Sequence, residues 1–116
     1  MNLIQNTPYA VLCAGLWALV NGVLHDIFIL AKSPKYDRDL LRLLMDGHIL
    51  ITCGLILIFC FKGIAVGSPF ALTIAIICCC SLLVYCAMIF PFLKSLVTIA
   101  INLFTLTLLI LFTIKN

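Results

Sequence analysis

The chain has 116 residues, 66% of them hydrophobic and only 9% charged, with a formal net charge of +3 at pH 7. A soluble domain carries about 25% charged residues, and this chain has too few polar side chains to cover a water-facing surface. The composition excludes a soluble domain, and its small positive charge, mostly loop lysines and arginines, gives no sign of nucleic-acid binding.

A bilayer span needs about 20 apolar residues to cross roughly 30 Å. The chain holds four such runs, so the expected fold is all-α: a polytopic membrane protein with four transmembrane helices in an antiparallel bundle. A single transmembrane domain over residues 1–116 is expected. The N-terminal stretch M-N-L-I-Q-N-T-P has no Lys or Arg. The first apolar run also exceeds the roughly 7–15 residues of a signal-peptide core, so no cleavable signal is expected.

Span one is expected over about residues 8–31, with Pro8 in its first turn, where a missing N–H costs nothing. Ala10, Ala14, Ala18 and Gly22 recur every four residues, a small-residue stripe that lets another helix approach closely in lipid. Trp17, Asn21 and His25 form a second stripe beside it. Asp26 lies about 100° round the helix from His25.

A charged link, residues 32–42, follows. Ser33-Pro34 breaks the helix, and Asp37 or Asp39 is placed to cap the next one. Span two is expected over about residues 43–61. Its uninterrupted apolar run, 49–61, is too short to cross alone, so Asp46, Gly47 and His48 must lie at its membrane entrance. Asp39, Arg42, Asp46 and Cys53 share one stripe of this helix, and His48 and Thr52 lie on nearly the opposite face.

Lys62-Gly63 is expected to end span two, and Gly67-Ser68-Pro69 to open span three, about residues 69–90. Here Gly67, Ala71, Ala75 and Cys79 repeat the small-residue spacing, while Ser81 and Tyr85 add hydroxyls one turn apart. Span four, about residues 93–114, carries Ser95, Thr98, Asn102 and Thr105 on a stripe expected to face protein. Two small-residue stripes in one small bundle suggest self-association or a larger membrane complex. Lys32, Lys35, Arg38, Arg42 and Lys94 outnumber Lys62 and Lys115 on the other side. The positive-inside rule therefore puts link 32–42 in the cytoplasm and both termini opposite.

Most of the seven cysteines fall inside the spans with no C-x-x-C pair, which reads as packing rather than redox chemistry. The chemistry concentrates between Asn21 and His48. That window holds all four acidic residues, both histidines and four of the seven basic residues. In a hairpin, His25, Asp26, Asp46 and His48 come to similar depth, about 5–10 Å inside the boundary. An ionised group there needs compensation, and Arg42, one turn from both Asp39 and Asp46, is the nearest source. Ligand or proton-pathway candidates are Asn21, His25, Asp26, Arg42, Asp46, His48 and Asn102. No catalytic residue is expected. No cofactor is expected either, and a haem or metal would have only His25 and His48 to use.

These residues point first to a non-enzymatic subunit or binding protein of a membrane assembly, with the bilayer and a homo-oligomer or larger complex as partners. The alternative is a small proton- or cation-linked transporter or channel. A haem-binding, metal-binding or lipid-modifying protein comes third; in the last case the basic link would hold a phosphate head group. Whether the polar stripes converge on a cavity or pack dry separates the first two.

Overall fold

Four helices follow one another through short links in the computed structural model, which describes residues 3–32, 35–91 and 96–115. A 3-10 turn, Leu3–Asn6, leads into α1, Thr7–Lys32; α2 is Arg38–Ala65, α3 Pro69–Ile89 and α4 Leu96–Lys115. All four are long and apolar enough to cross a membrane, and the described residues include no strand. α1 packs on α2, α2 on α3 and α3 on α4, and α4 closes the ring against α1, with α1 and α2 in the most extensive contact. The outside is apolar: Phe59, Phe70 and Met88 are 82%, 75% and 72% exposed. Hydrocarbon rather than water is the solvent that accepts such a surface. The chain is an integral, multi-pass membrane protein.

The helix ends follow from local chemistry. Pro8 sits in the first turn of α1, and the Thr7 hydroxyl donates to the Ile4 carbonyl at 2.6 Å. α2 begins at Arg38, five residues before the expected start of span two, because the Asp37 carboxylate accepts from the Leu40 N–H at 2.9 Å. That cap holds the charged first turn in helix although it adds no apolar length. α2 also runs past Lys62-Gly63, the expected stop. The residue that turns left-handed is Gly67, at φ 77°. Its N–H donates to Ile64 O at 2.9 Å and that of Ser68 to Gly63 O at 2.8 Å, the paired bonds of a Schellman ending. Ser68 then caps α3 through its hydroxyl, which accepts from the Ala71 N–H at 3.4 Å.

The α1–α2 seam is built on glycine. Gly15 faces Gly54, and Gly22 faces Gly47. A Cβ on Gly15 would stand 2.8 Å from the Gly54 carbonyl oxygen, and one on Gly54 2.7 Å from the Gly15 carbonyl oxygen. Seven residues up α1 match seven down α2, a two-turn repeat that keeps one antiparallel register. The four-residue stripes also turn inward. Ala14, Ala18 and Gly22 are buried, as are Ala71, Ala75 and Cys79. Within this chain those residues pack against neighbouring helices of the same bundle. Around them pack Val11, Leu57, Ile64, Leu82 and Leu109, all with no exposure.

Candidate functional site

α1 carries Trp17, Asn21 and His25 down one face, a turn apart, toward the link-side end of the bundle. Each polar group there needs a partner, because hydrocarbon supplies none. The Trp17 indole Nε1–H donates to the Thr98 hydroxyl of α4 at 3.0 Å. Asn21 Nδ2 donates to the Trp17 carbonyl at 2.7 Å. Asn102 Nδ2 donates to the Thr98 carbonyl at 2.8 Å. The second half of the Asn102 amide, Oδ1, is buried without a hydrogen-bond partner.

Asn21, His25 and Thr98 line a partly enclosed cavity of about 100 Å³, together with Tyr85 and Cys86 of α3 and Leu50 of α2. At about 30 Å³ per molecule in the liquid, that is room for about three waters. The polar stripes of α1 and α4 therefore converge, and a hydroxyl from α3 joins them. Tyr85 was legible in the sequence only as one hydroxyl among others. What marks it is a bulky phenol at a depth matching His25.

Asp26 leaves α1 on the other side. Its carboxylate lies against Gly47, where a Cβ would run into Oδ1. Asp26 and His48 line an open groove of about 310 Å³ with Leu30, Leu41, Leu44 and Met45. The His25 ring and the Asp26 carboxylate meet at the boundary between cavity and groove: Nδ1 and Oδ1 are 3.4 Å apart, with the side chains 26% and 22% exposed. That distance is at the long end of a hydrogen bond.

Among the described residues this is the only contact within 4.0 Å between a carboxylate and a basic side chain. The expected Arg42–Asp46 pair is therefore not formed, although one helical turn separates the two. Arg42 is exposed, whereas Asp46 is half-buried. His25 and His48, the two possible haem or metal ligands, line different spaces. No group of three or more His, Cys, Asp or Glu side chains could hold a metal ion among the described residues. Ser33, Lys94 and Ser95 lie outside the described residues.

A larger apolar groove of about 750 Å³ runs between α1 and α4 toward the N-terminal end, walled by Tyr9, Cys13, Trp17, Ile101 and Phe104. Comparison of the chain with protein-family models, curated proteins and solved structures finds no match.

Proposed function

We propose that this is a non-enzymatic membrane protein whose working part is the polar centre of Asn21, His25, Tyr85 and Thr98, and that the centre handles a proton or a small cation. The observation that carries this reading is the convergence of those side chains from three helices on one cavity of about 100 Å³. Pockets that take organic ligands measure about 300–1,000 Å³. A cavity this size suits water, a proton or a bare ion.

Acyl transfer is the chemical rival, since Cys86, His25 and Asp26 would supply nucleophile, base and orienting acid. Two facts weigh against it. Cys86 is completely buried, and the cavity has no room for an acyl donor.

Trp17 is the only tryptophan, and it is bonded to the cavity wall through both Thr98 and Asn21. Its emission is a built-in reporter. In lipid nanodiscs, wild-type emission should change between pH 8 and pH 5, or on adding sodium or potassium at fixed ionic strength. Asn21→Leu, which fills and dries the cavity, should silence the change. Wild-type emission indifferent to all three additions would end the proposal. The transporter form of the same reading further requires proton or cation flux in proteoliposomes.

The apolar α1–α4 groove favours a second reading, a subunit that seats a partner helix there. Phe104 is 51% exposed at its rim. A photo-crosslinking residue at position 104 in native membranes should then give a discrete protein adduct. Lipid adducts alone would remove this reading.

A further inference from the structure

We propose that His25 and Asp26 form a two-sided proton-exchange pair: Asp26 takes up a proton from the groove beside α2, and His25 delivers one to the partly enclosed cavity. This deepens the reading of the polar centre and rests on it. Three observations carry it. The two side chains are neighbours, Nδ1 to Oδ1 at 3.4 Å. Each lines a different space, His25 the cavity and Asp26 the groove. At this level α1 and α2 touch main chain to main chain through Gly22 and Gly47. The imidazole–carboxyl contact is the path assigned to a proton passing from one space to the other.

The step balances without electrons. Asp26, protonated from the groove, gives its O–H proton to the bare Nδ1 of a neutral ring. The carboxylate and the imidazolium then compensate each other, which an apolar setting demands of any ionised group. The ring releases its Nε2 proton to an oxygen acceptor in the cavity and is left neutral with its proton on Nδ1. One proton has entered at Asp26 and one has left at His25. Imidazole suits this because its two nitrogens are separate proton sites.

The surroundings from each helix fit the assignment. α2 brings His48 to the same groove as Asp26, a titratable group to feed it. Asp46, also on α2, is half-buried. α3 brings Tyr85 and Cys86 to the cavity wall, and α4 brings Thr98, which does not titrate. Lys32, at the end of α1, lies over the Phe28 ring, 4.3 Å from its centroid.

The experiment is a stopped-flow jump from pH 8 to pH 5 on the full-length protein in lipid nanodiscs, read by Trp17 emission. The jump spans the range in which imidazole takes up a proton. Asp26→Asn should slow the response about a hundredfold, the scale of a lost general acid. His25→Gln should abolish it. Helix content by circular dichroism identifies any variant that has not folded. For that case the wild type carries its own test: the response should be slower in deuterated water, and an equal rate would overturn the proposal. A wild-type rate in both folded variants, with Asn21→Leu silent, would also overturn the pair while leaving the polar centre as the working site. Silence of the wild type would remove both.

Discussion

Gly22 of α1 and Gly47 of α2 stand main chain to main chain. A Cβ on Gly22 would come within 2.6 Å of the Gly47 carbonyl oxygen, and one on Gly47 within 2.9 Å of the Gly22 carbonyl oxygen. Close approach gives the van der Waals contact that holds helices together in lipid, where the hydrophobic effect is absent. It also brings Asp26 flat against α2, because the same missing Cβ leaves room for the carboxylate.

Gly47→Ala should therefore both part the helices and displace Asp26. Overpacking of this kind costs about 1–3 kcal/mol. Reversible denaturation in mixed micelles should show Gly47→Ala and Gly22→Ala less stable than wild type by that amount. Wild-type stability in both would mean that the helices stand further apart.

Arg42→Leu and Asp46→Leu should be independent. Their side chains form no ion pair, so the double variant should match the sum of the singles within about 0.5 kcal/mol. A double-mutant coupling well above that, measured in one detergent, would show that the pair forms after all.

Asn102→Leu should leave stability unchanged or raise it. The amide donates only to Thr98 O, one turn back on the same helix, and its buried Oδ1 has no partner. An orphaned buried acceptor costs about 1–3 kcal/mol, which an apolar residue of similar volume removes. A loss of more than about 1 kcal/mol in thermal or micelle denaturation would show that Oδ1 has a partner such as a bridging water.

Tyr36→Cys tests the orientation drawn from the Lys and Arg bias. Tyr36 is 66% exposed on the link. With the link in the cytoplasm, a membrane-impermeant maleimide should label this cysteine only after the cells are opened. Labelling of intact cells would reverse the topology.

Much of the fold was legible because hydrophobic length is a strong signal in a chain this apolar. The polar stripe of α4 is a case in point: Thr98, Asn102 and Thr105 face inward as their spacing implies. The cap at Asp37 was one of the two that the sequence offered, whereas the far end of α2 was not legible, because a left-handed Gly67 outranks the local polarity of Lys62-Gly63 that would have stopped the helix sooner. The glycine seam was hidden by a competing pattern. A four-residue stripe through Gly22 overlies its seven-residue spacing to Gly15, and that spacing gains meaning only beside the identical one of Gly47 and Gly54. Arg42 and Asp46 are near enough in sequence to pair, but side chains that reach water or head groups need not. Tyr85 could be placed beside His25 only once the helices were arranged in a ring.

Two glycine pairs also restrict how this bundle can change shape. Sliding α1 along α2 by one turn, about 5.4 Å, would bring Gly22 opposite Leu43 or Ile51 and put bulky branches where main chains now touch. Only one register brings both glycine pairs together, so the hairpin resists a slip of one turn. α4 is fastened to α1 more lightly, by Trp17 to Thr98 at 3.0 Å and by the Thr7 hydroxyl to the Leu108 carbonyl at 3.5 Å. Those two bonds are hinge pins at different depths. A swing of α4 about them is the motion that would widen or shut the space around His25 without breaking the glycine seam.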